Sequence, residues 1–446
     1  MEPSDLKTNE NLQEAGTSSK TPGSLLNKPV SRRDVLKMAG IGGLGLLLGG
    51  GAAGALFKGT KAFTRKESVL NAGRTNEKVH PFYGKHQSGI ITPSQNFLCF
   101  ASFDLTVASI NEVRELFQKW TLAAANMTQG SMLGDSAANT SLNLPPADTG
   151  EAAGLIPSRT TITFGAGPSF FDSRFGLASK RPAAFPDLPK FRGDALQPQW
   201  CGGDIGVQVC ADDLQVAFHA VRNLARIARG SAVLRWTQEG FQRTGAAEPA
   251  NGTPRNLMGF KDGTGNPDVN DAKLMDEVVW AQAGDGAAWM AGGSYMVARR
   301  IRMRLEVWDR STLDDQQRTF GRYRDSGAPL GGQDEFDPLD LNAKDAAGQP
   351  ALPVTSHSRL AHMDGNTKLL RRAYSYSSGL DAKTGQLDAG LFFICFQRNV
   401  SKQFIAMQQI LAASDKLNEY ISHVGSAGFA CFPGAAEGGY IGDTLF

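Results

Sequence analysis

The chain has 446 residues, with 46 Lys and Arg against 44 Asp and Glu and a formal net charge of +2. That balance, with no Lys/Arg stripe interleaved with aromatics, argues against a nucleic-acid-binding surface. Its five cysteines contain no Cys-x-x-Cys pair, which excludes a thiolate zinc site and a dense disulfide framework and leaves buried, unpaired thiols as the expectation.

Residues 1–30 are rich in Ser, Thr, Asn, Pro and Glu and read as a leader that joins no fold. Next comes Ser31-Arg32-Arg33-Asp34-Val35-Leu36-Lys37, then an uncharged run from Met38 to Phe57 in which eight of twenty residues are Gly. The pair Arg32-Arg33 before such a run is a twin-arginine export signal, a route that carries proteins already folded and often already loaded with a cofactor. The run is long enough to span a membrane, but its glycines give it weak apolarity and poor helix propensity. Ala53-Gly54-Ala55 offers a small-x-small cleavage site, while Lys58, Lys61, Arg65 and Lys66 just beyond would also suit a retained anchor. The run Gly40-Ile41-Gly42-Gly43-Leu44-Gly45 matches the dinucleotide fingerprint only formally, because no strand precedes it and no acidic residue follows at the required distance.

About 370 residues then remain, enough for two ordinary domains or one large pseudo-duplicated one. Asn96 to Val107 reads as a strand and is followed by a helix from near Ile110. Gly203 to Cys210 is a second strand, before a helix with Leu214, Ala217, Val221, Leu224 and Ile227 at helical spacing. The later part repeats the plan. Tyr295 to Trp308 is a strand, a helix starts near Leu313, Gly390 to Phe396 is a strand, Ser401 to Ala412 a helix and Gly428 to Phe432 a closing strand. Each half therefore reads strand, helix, strand, strand, helix, strand. The expected fold class is α+β, two ferredoxin-like halves of antiparallel sheet with helices. The expected boundaries are 1–55 for leader and signal, 56–79 for a linker, 80–250 for the N-terminal half and 251–446 for the C-terminal half, joined through Ala246 to Pro254. Ser326 to Val354 is a long loop of the kind that serves a site, and it runs into His357.

Six histidines permit a census. His219 falls on the Arg222 and Arg226 face of its helix and reads as solvated. His423 follows Glu419 by four residues and reads as an i, i+4 pair at a helix end near Gly425. His80 and His86 flank the entry to the first strand without metal-spaced partners. The five-residue separation of His357 and His362 suits neither one helix face nor an HExxH zinc motif, although a single histidine is enough to hold a haem iron from one side. A non-haem iron site from His357, His362 and Asp364 is the more distant reading.

The densest motif is Asn256-Leu257-Met258-Gly259-Phe260-Lys261-Asp262-Gly263-Thr264-Gly265-Asn266-Pro267-Asp268, which pattern alone reads as a pair of tight turns. Its Gly-x-x-Asp-Gly element resembles the signature of dye-decolourising (Dyp-type) haem peroxidases. The export signal, Tyr83-Gly84-Lys85-His86-Gln87-Ser88-Gly89-Ile90, Arg300-Ile301-Arg302-Met303, Ser326-Gly327-Ala328-Pro329-Leu330-Gly331, Ser356-His357-Ser358-Arg359-Leu360-Ala361 and Leu370-Arg371-Arg372-Ala373-Tyr374-Ser375-Tyr376 extend the likeness to the EfeB-type deferrochelatase/peroxidase branch of that family. The likeness runs from about His80 to the C-terminus.

The resemblance implies haem b as cofactor, in the crevice of the C-terminal half. It implies His357 as the iron ligand, Asp262 as acid/base and Arg371 as its arginine. Haem contacts would fall on Gly263, Thr264 and Gly265 and on His362, Met363 and Asp364. Relatives carry Asn-Pro-Arg and a longer spacer where this chain has His362-Met363-Asp364, so another basic group, Arg324 or Arg372, would have to meet a haem propionate. Glu419 is the expected carboxylate partner of His357. The implied function is an exported enzyme that reduces hydrogen peroxide, oxidises bulky organic or porphyrin donors and releases iron from haem. The alternative is a non-catalytic haem-binding component of an iron acquisition system. Implied partners are the twin-arginine translocase, an iron-uptake permease and lipoprotein, and further copies of the chain, at the periplasm or the outer face of the membrane. Tyr374, Tyr376, Trp308 and Trp289 read as core aromatics near the site.

Overall fold

The computed structural model describes residues 79–134, 143–244, 247, 252–363 and 365–446. The leader, the twin-arginine segment, the linker up to residue 78, most of the Ala246 to Pro254 junction and Asp364 lie outside the described residues.

Among the described residues nine strands form one antiparallel sheet: β1 Phe97–Leu105, β2 Thr161–Ala166, β3 Ile205–Ala211, β4 Ala232–Phe241, β5 Ser294–Met303, β6 Leu370–Arg371, β7 Tyr374–Leu380, β8 Leu387–Gln397 and β9 Ile421–Cys431. The order β5-β9-β2-β3-β1-β4-β7-β8 closes into a ring because β8 pairs back to β5, and β6 adds to β8 beside β7. Followed in one sense round the ring, the first four strands run β2-β3-β1-β4 and the later ones β7-β8-β5-β9, the same order relative to chain position. The seams between the two sets are thin. β4 meets β7 at Phe241 and Ser375, and β2 meets β9 at Gly165 with Cys431 and Ala166 with Ala430. Phe429 fills the second seam so closely that a Cβ on Gly206 would lie 2.8 Å from its ring, so a larger residue there would force the strands apart.

Alternation along the strands sorts the side chains onto two faces. Leu98, Phe100, Trp236, Phe392, Tyr374, Tyr376 and Phe429 belong to one cluster inside the ring, with Phe100 stacked 5.1 Å from Trp236. Cys99, Ala101 and Phe103 point outward. In the first half that outer face is covered by helix α1, Ile110–Thr128, and helix α2, Leu214–Ile227. Ser109 and Glu112 close a capping box at the start of α1, which then buries Val113, Leu116, Phe117, Trp120, Ala124 and Met127 at helical spacing. Asp213 caps α2 by accepting from the Val216 amide.

The remaining helices are short: α3 Ala272–Val278, α4 Leu305–Trp308, α5 Leu313–Phe320, α6 His357–His362 and α7 Ala406–Ser414, the last entered through a π-turn at Ser401–Ile405. Among the described residues no helix is long and apolar enough to cross a membrane. All five cysteines are unpaired and four are buried.

Three local readings are corrected. His219 is buried, because the strand-free segment after Pro146 lies across the polar face of α2: His219 donates to Asp148 at 2.8 Å, and Arg222 pairs with Glu151. Helical periodicity shows one covered face and cannot reveal a second cover from elsewhere in the chain. His423 sits in β9, opposite Ile301, and not at a helix end. Trp308 lies in α4, after β5 has ended at Met303.

Candidate active site

The outer face of the second strand set is not filled. Arg299, Ile301 and Met303 of β5, Leu391 and Phe393 of β8, Ile421 and His423 of β9 and Arg371 of β6 look outward into a cavity of about 620 Å3, roofed by residues of α5, α6 and α7. That volume lies within the ~300–1,000 Å3 usual for small-molecule and cofactor sites.

His357 begins α6 and lines the cavity. Its Nδ1 donates to Asp415 Oδ2 at 2.6 Å, so Nε2 is the nitrogen left to face a ligand. Asp415 is held in turn, since its Oδ1 accepts from the Leu417 amide at 2.8 Å and its side chain is almost wholly buried. Burial works against a charged imidazole here, but the Asp415 carboxylate and its hydrogen bond outweigh that and raise the His357 pKa. Glu419, the expected partner, is not in this contact. Its place is taken by an Asp four residues earlier, at the start of a 3-10 turn, and spacing in sequence does not reveal which of two nearby carboxylates the turn aims inward.

Asp262 and Arg371 form the second pole. Arg371 Nη1 donates to Asp262 Oδ1 at 3.0 Å, and both line the cavity with Gly263, Thr264 and Gly265. The loop is stiffened locally. Asn256 Oδ1 accepts from the Met258 amide at 3.0 Å, and the Asp262 amide donates to the Pro254 carbonyl at 2.7 Å. Gly263 has φ of +138°, a backbone conformation that side-chain-bearing residues avoid. Asn266 clasps Arg371 twice, donating to its carbonyl at 2.8 Å and accepting from its amide at 3.1 Å. This positioning role was not read from the sequence, where Asn-Pro signalled only a turn. Strand alternation explains why adjacent arginines part company: Leu370 and Tyr374 point into the ring, and Arg371 points to the cavity.

The long loop supplies Glu335, Phe336, Asp337, Pro338 and Leu339 to the cavity wall. It is strapped to the Asp262 loop by Glu335, which pairs with Lys261 and accepts from Thr264 Oγ1 at 2.9 Å. Burial pushes the Glu335 pKa up, but the Lys261, Thr253 and Thr264 hydrogen bonds together hold it below the ordinary Glu value.

His362 also lines the cavity, whereas Met363, which ends α6 with φ of +49°, is not among the lining residues and Asp364 is outside the described residues. Neither arginine expected to meet a propionate lines this cavity. Arg324 packs over Gly259, and Arg372 is bonded to Thr92 and Gln95. Arg322 lines it instead, its guanidinium donating to the carbonyl oxygens of Gly327 and Glu335, and burial lowers its pKa. Arg299 is a second cation on the wall. It pairs with buried Asp194, and its Nε has no partner among the described residues. His423, 4.0 Å from Asp194, stays neutral because burial and the Arg299 charge lower its pKa to about 3.

These features fit haem. Apolar walls from Ile301, Met303, Phe320, Leu391 and Phe393 suit a macrocycle, an imidazole anchored by a buried carboxylate suits an axial ligand, and Arg322 and Arg299 suit two acidic substituents. Among the described residues no group of three His, Cys, Asp or Glu is placed to hold a bare metal ion. Tyr374, Tyr376, Trp308 and Trp289 are all buried in the core.

Two family models match the chain, Dyp-type peroxidase, N-terminal, over residues 87–242 and Dyp-type peroxidase, C-terminal, over residues 253–436. The proteins named Deferrochelatase in Escherichia coli strain K12 and in Shigella boydii serotype 4 are each 39% identical over 428 residues, spanning 94% of this chain and 97% of the relative. Among solved structures, ferric DtpA from Streptomyces lividans is similar with a TM-score of 0.77 and 39% identity, over 83% of this chain and 97% of that one. The DyP-type peroxidase from Cellulomonas bogoriensis is similar with a TM-score of 0.75 and 37% identity, over 82% and 98% of the two chains.

Proposed function

The chain belongs to the Dyp-type peroxidase family, a haem-dependent peroxidase, and from that premise we propose that His357 is its iron ligand, Asp262 its acid/base and Arg371 the partner of that carboxylate. The observation that carries this reading is a single cavity whose wall holds both the His357–Asp415 pair and the Asp262–Arg371 pair.

Bound haem b supplies the redox-active iron at which peroxide is reduced. The chain's own residues do the rest. Asp262, held by the permanently charged Arg371 guanidinium, takes the proton from one peroxide oxygen and returns it to the other. Arg371 stabilises negative charge on the departing oxygen. Asp415 accepts a hydrogen bond from the Nδ1–H of His357 and so strengthens Nε2 as an electron-pair donor. Gly263, Thr264 and Gly265 would let backbone approach the cofactor, and Arg322 and Arg299 would neutralise its acidic groups. His362, which lines the same cavity, would contact the cofactor, while Met363 and Asp364 keep only the support of the resemblance.

We extend the reading to bulky organic and porphyrin donors and to release of iron from haem, on the strength of the Deferrochelatase relatives. A passive haem carrier is the second reading, and the Asp262–Arg371 pair weighs against it, because a carrier has no use for a peroxide acid/base. The common strand order of residues 80–250 and 251–446 supports two duplicated ferredoxin-like halves. Arg32-Arg33 supports export by the twin-arginine translocase to the periplasm or outer membrane face, where an iron-uptake permease, a lipoprotein and further copies of the chain are the proposed partners.

The test is spectroscopic. The purified protein is expected to show a Soret band, and His357→Ala to lose it; an unchanged band in His357→Ala refutes the ligand assignment. Incubation with haem should yield metal-free protoporphyrin if iron release is physiological chemistry, and only intact haem if it is not.

A further inference from the structure

Most of the charge on the cavity wall is answered inside the protein. Arg371 is paired with Asp262, Lys261 with Glu335, Arg299 with Asp194 and His357 with Asp415. Asp337 turns back on its own loop, where its Oδ2 accepts from the Gln333 and Asp334 amides at 2.8 and 2.9 Å. Of the Lys and Arg side chains on the wall, Arg322 and Lys368 are the ones with no carboxylate partner among the described residues. Haem b carries two carboxylates. Arg299 reaches the wall with its charge already met by Asp194, so the second carboxylate calls for another cation, and Lys368 is the one left open.

The two cations stand on different connections. Arg322 follows α5, and its Nη1 is fixed to the Gly327 and Glu335 carbonyls at 2.7 and 2.9 Å. Lys368 lies in the stretch from α6 to β6, where Gln403 Nε2 donates to its carbonyl at 2.7 Å and to the Val278 carbonyl at 3.0 Å. Gln403 belongs to the π-turn that leads into α7. From there Phe404, Met407, Gln408 and Leu411 line the cavity at helical spacing, and Gln408 is the polar member of an otherwise apolar face. It is only 7% exposed, and its side-chain amide has no hydrogen-bond partner among the described residues. A buried amide left unmet lowers stability, so its place on this face calls for a ligand that accepts from it. The peripheral acceptors of a haem are its carboxylates.

We propose that Lys368 meets one haem carboxylate and Arg322 the other, with the Gln408 amide donating to the carboxylate on the Lys368 side. The inference rests on the haem reading and adds which residues select a porphyrin with free carboxylates. The two holds differ in kind. Arg322 is planar and anchored to loop carbonyls, whereas Lys368 is a point charge on a flexible stem. Lys368 is therefore the hold that opens first when the porphyrin leaves.

The experiment follows transfer of porphyrin from the loaded, full-length protein to excess apomyoglobin, read by the Soret change. It uses haem and haem dimethyl ester, which lacks both charges. Lys368→Gln should speed loss of haem about tenfold, the worth of one charge-assisted hydrogen bond, and leave loss of the ester unchanged. Lys368→Arg should release haem as slowly as the wild type. Gln408→Leu gives an independent reading, with a smaller acceleration of about threefold for haem and none for the ester. Equal acceleration for haem and ester assigns these side chains to packing and overturns the proposal, as does haem loss at the wild-type rate in Lys368→Gln. Either result leaves the haem reading standing, because both need a loaded protein. A wild-type chain that takes up neither porphyrin overturns that reading and this proposal together.

Discussion

The two strand sets share one order, yet one outer face is solid and the other hollow. Over β2-β3-β1-β4 lie the 19 residues of α1 and the 14 of α2, and Trp120, Phe103, Phe117 and Phe164 interlock there. Over β9-β5-β8-β7 the corresponding places hold α4, α5 and the π-turn with α7, and the chain from Gly321 to Leu369 is interposed before the next strand. Long amphipathic helices bring their own apolar cover; short ones joined by a long loop stand off the sheet and leave room for a cofactor to complete the core. The lesson is that the cavity arises here from an ordinary sheet face left uncovered, with apolar strand residues and the charged Arg299 and Arg371 side by side on its wall.

Five substitutions break or sharpen that contrast. Asp262→Asn, on the hollow side, should keep haem and lower the rate of reaction with peroxide by roughly 10²–10⁴-fold in stopped-flow measurements, the usual worth of a general acid/base. Trp120→Ala, on the solid side, removes a fully buried ring, and should cost about 3–5 kcal/mol in denaturant unfolding, with little change in the Soret position of the molecules still folded. Asp415→Asn should weaken haem retention or activity about 10–100-fold, and a shifted Soret or iron–histidine vibration would distinguish loss of the Nδ1 acceptor from simple destabilisation.

The fourth concerns pH. His423 faces Arg299 and Asp194, and its folded pKa of about 3 lies below the ordinary value near 6.5. Between those values the unfolded chain binds the extra proton, so stability should fall as pH drops through that window, by at most about 1.4 kcal/mol per pH unit. His423→Asn should flatten the slope; an unchanged slope assigns it elsewhere. A smaller effect is expected at the Glu335 strap. Its depressed pKa means its contribution is complete above about pH 4.3 and lost as the pH falls through the folded value, and Glu335→Gln should remove that dependence at a cost of about 1 kcal/mol or less, read by hydrogen exchange over 326–354.

Much of the fold was legible. The strands at Phe97, Ile205 and Leu387 and the helices at Ile110 and Leu313 begin near where periodicity put them, since side chains facing an apolar core repeat with the period of the element, whereas the closing strand begins at Ile421, seven residues before the expected Gly428. The Asp262, His357 and Arg371 motifs were legible as candidates, and the structure gathers all three around one cavity. Asp415, Asn266 and Arg322 were not, because each acts through a contact closed by a turn or across a long stretch of chain.

What the sequence determined by itself is local: the alternation that turns Leu370 and Arg371 to opposite faces, the glycine that Gly263's backbone demands, the caps at Ser109 and Asp213, and the identity of the family. Tertiary structure alone decided which carboxylate meets His357, that His219 and His423 are buried, and that one sheet face stays open. Those outcomes depend on which distant segment covers a surface, and a pattern of spacings carries no information about its cover.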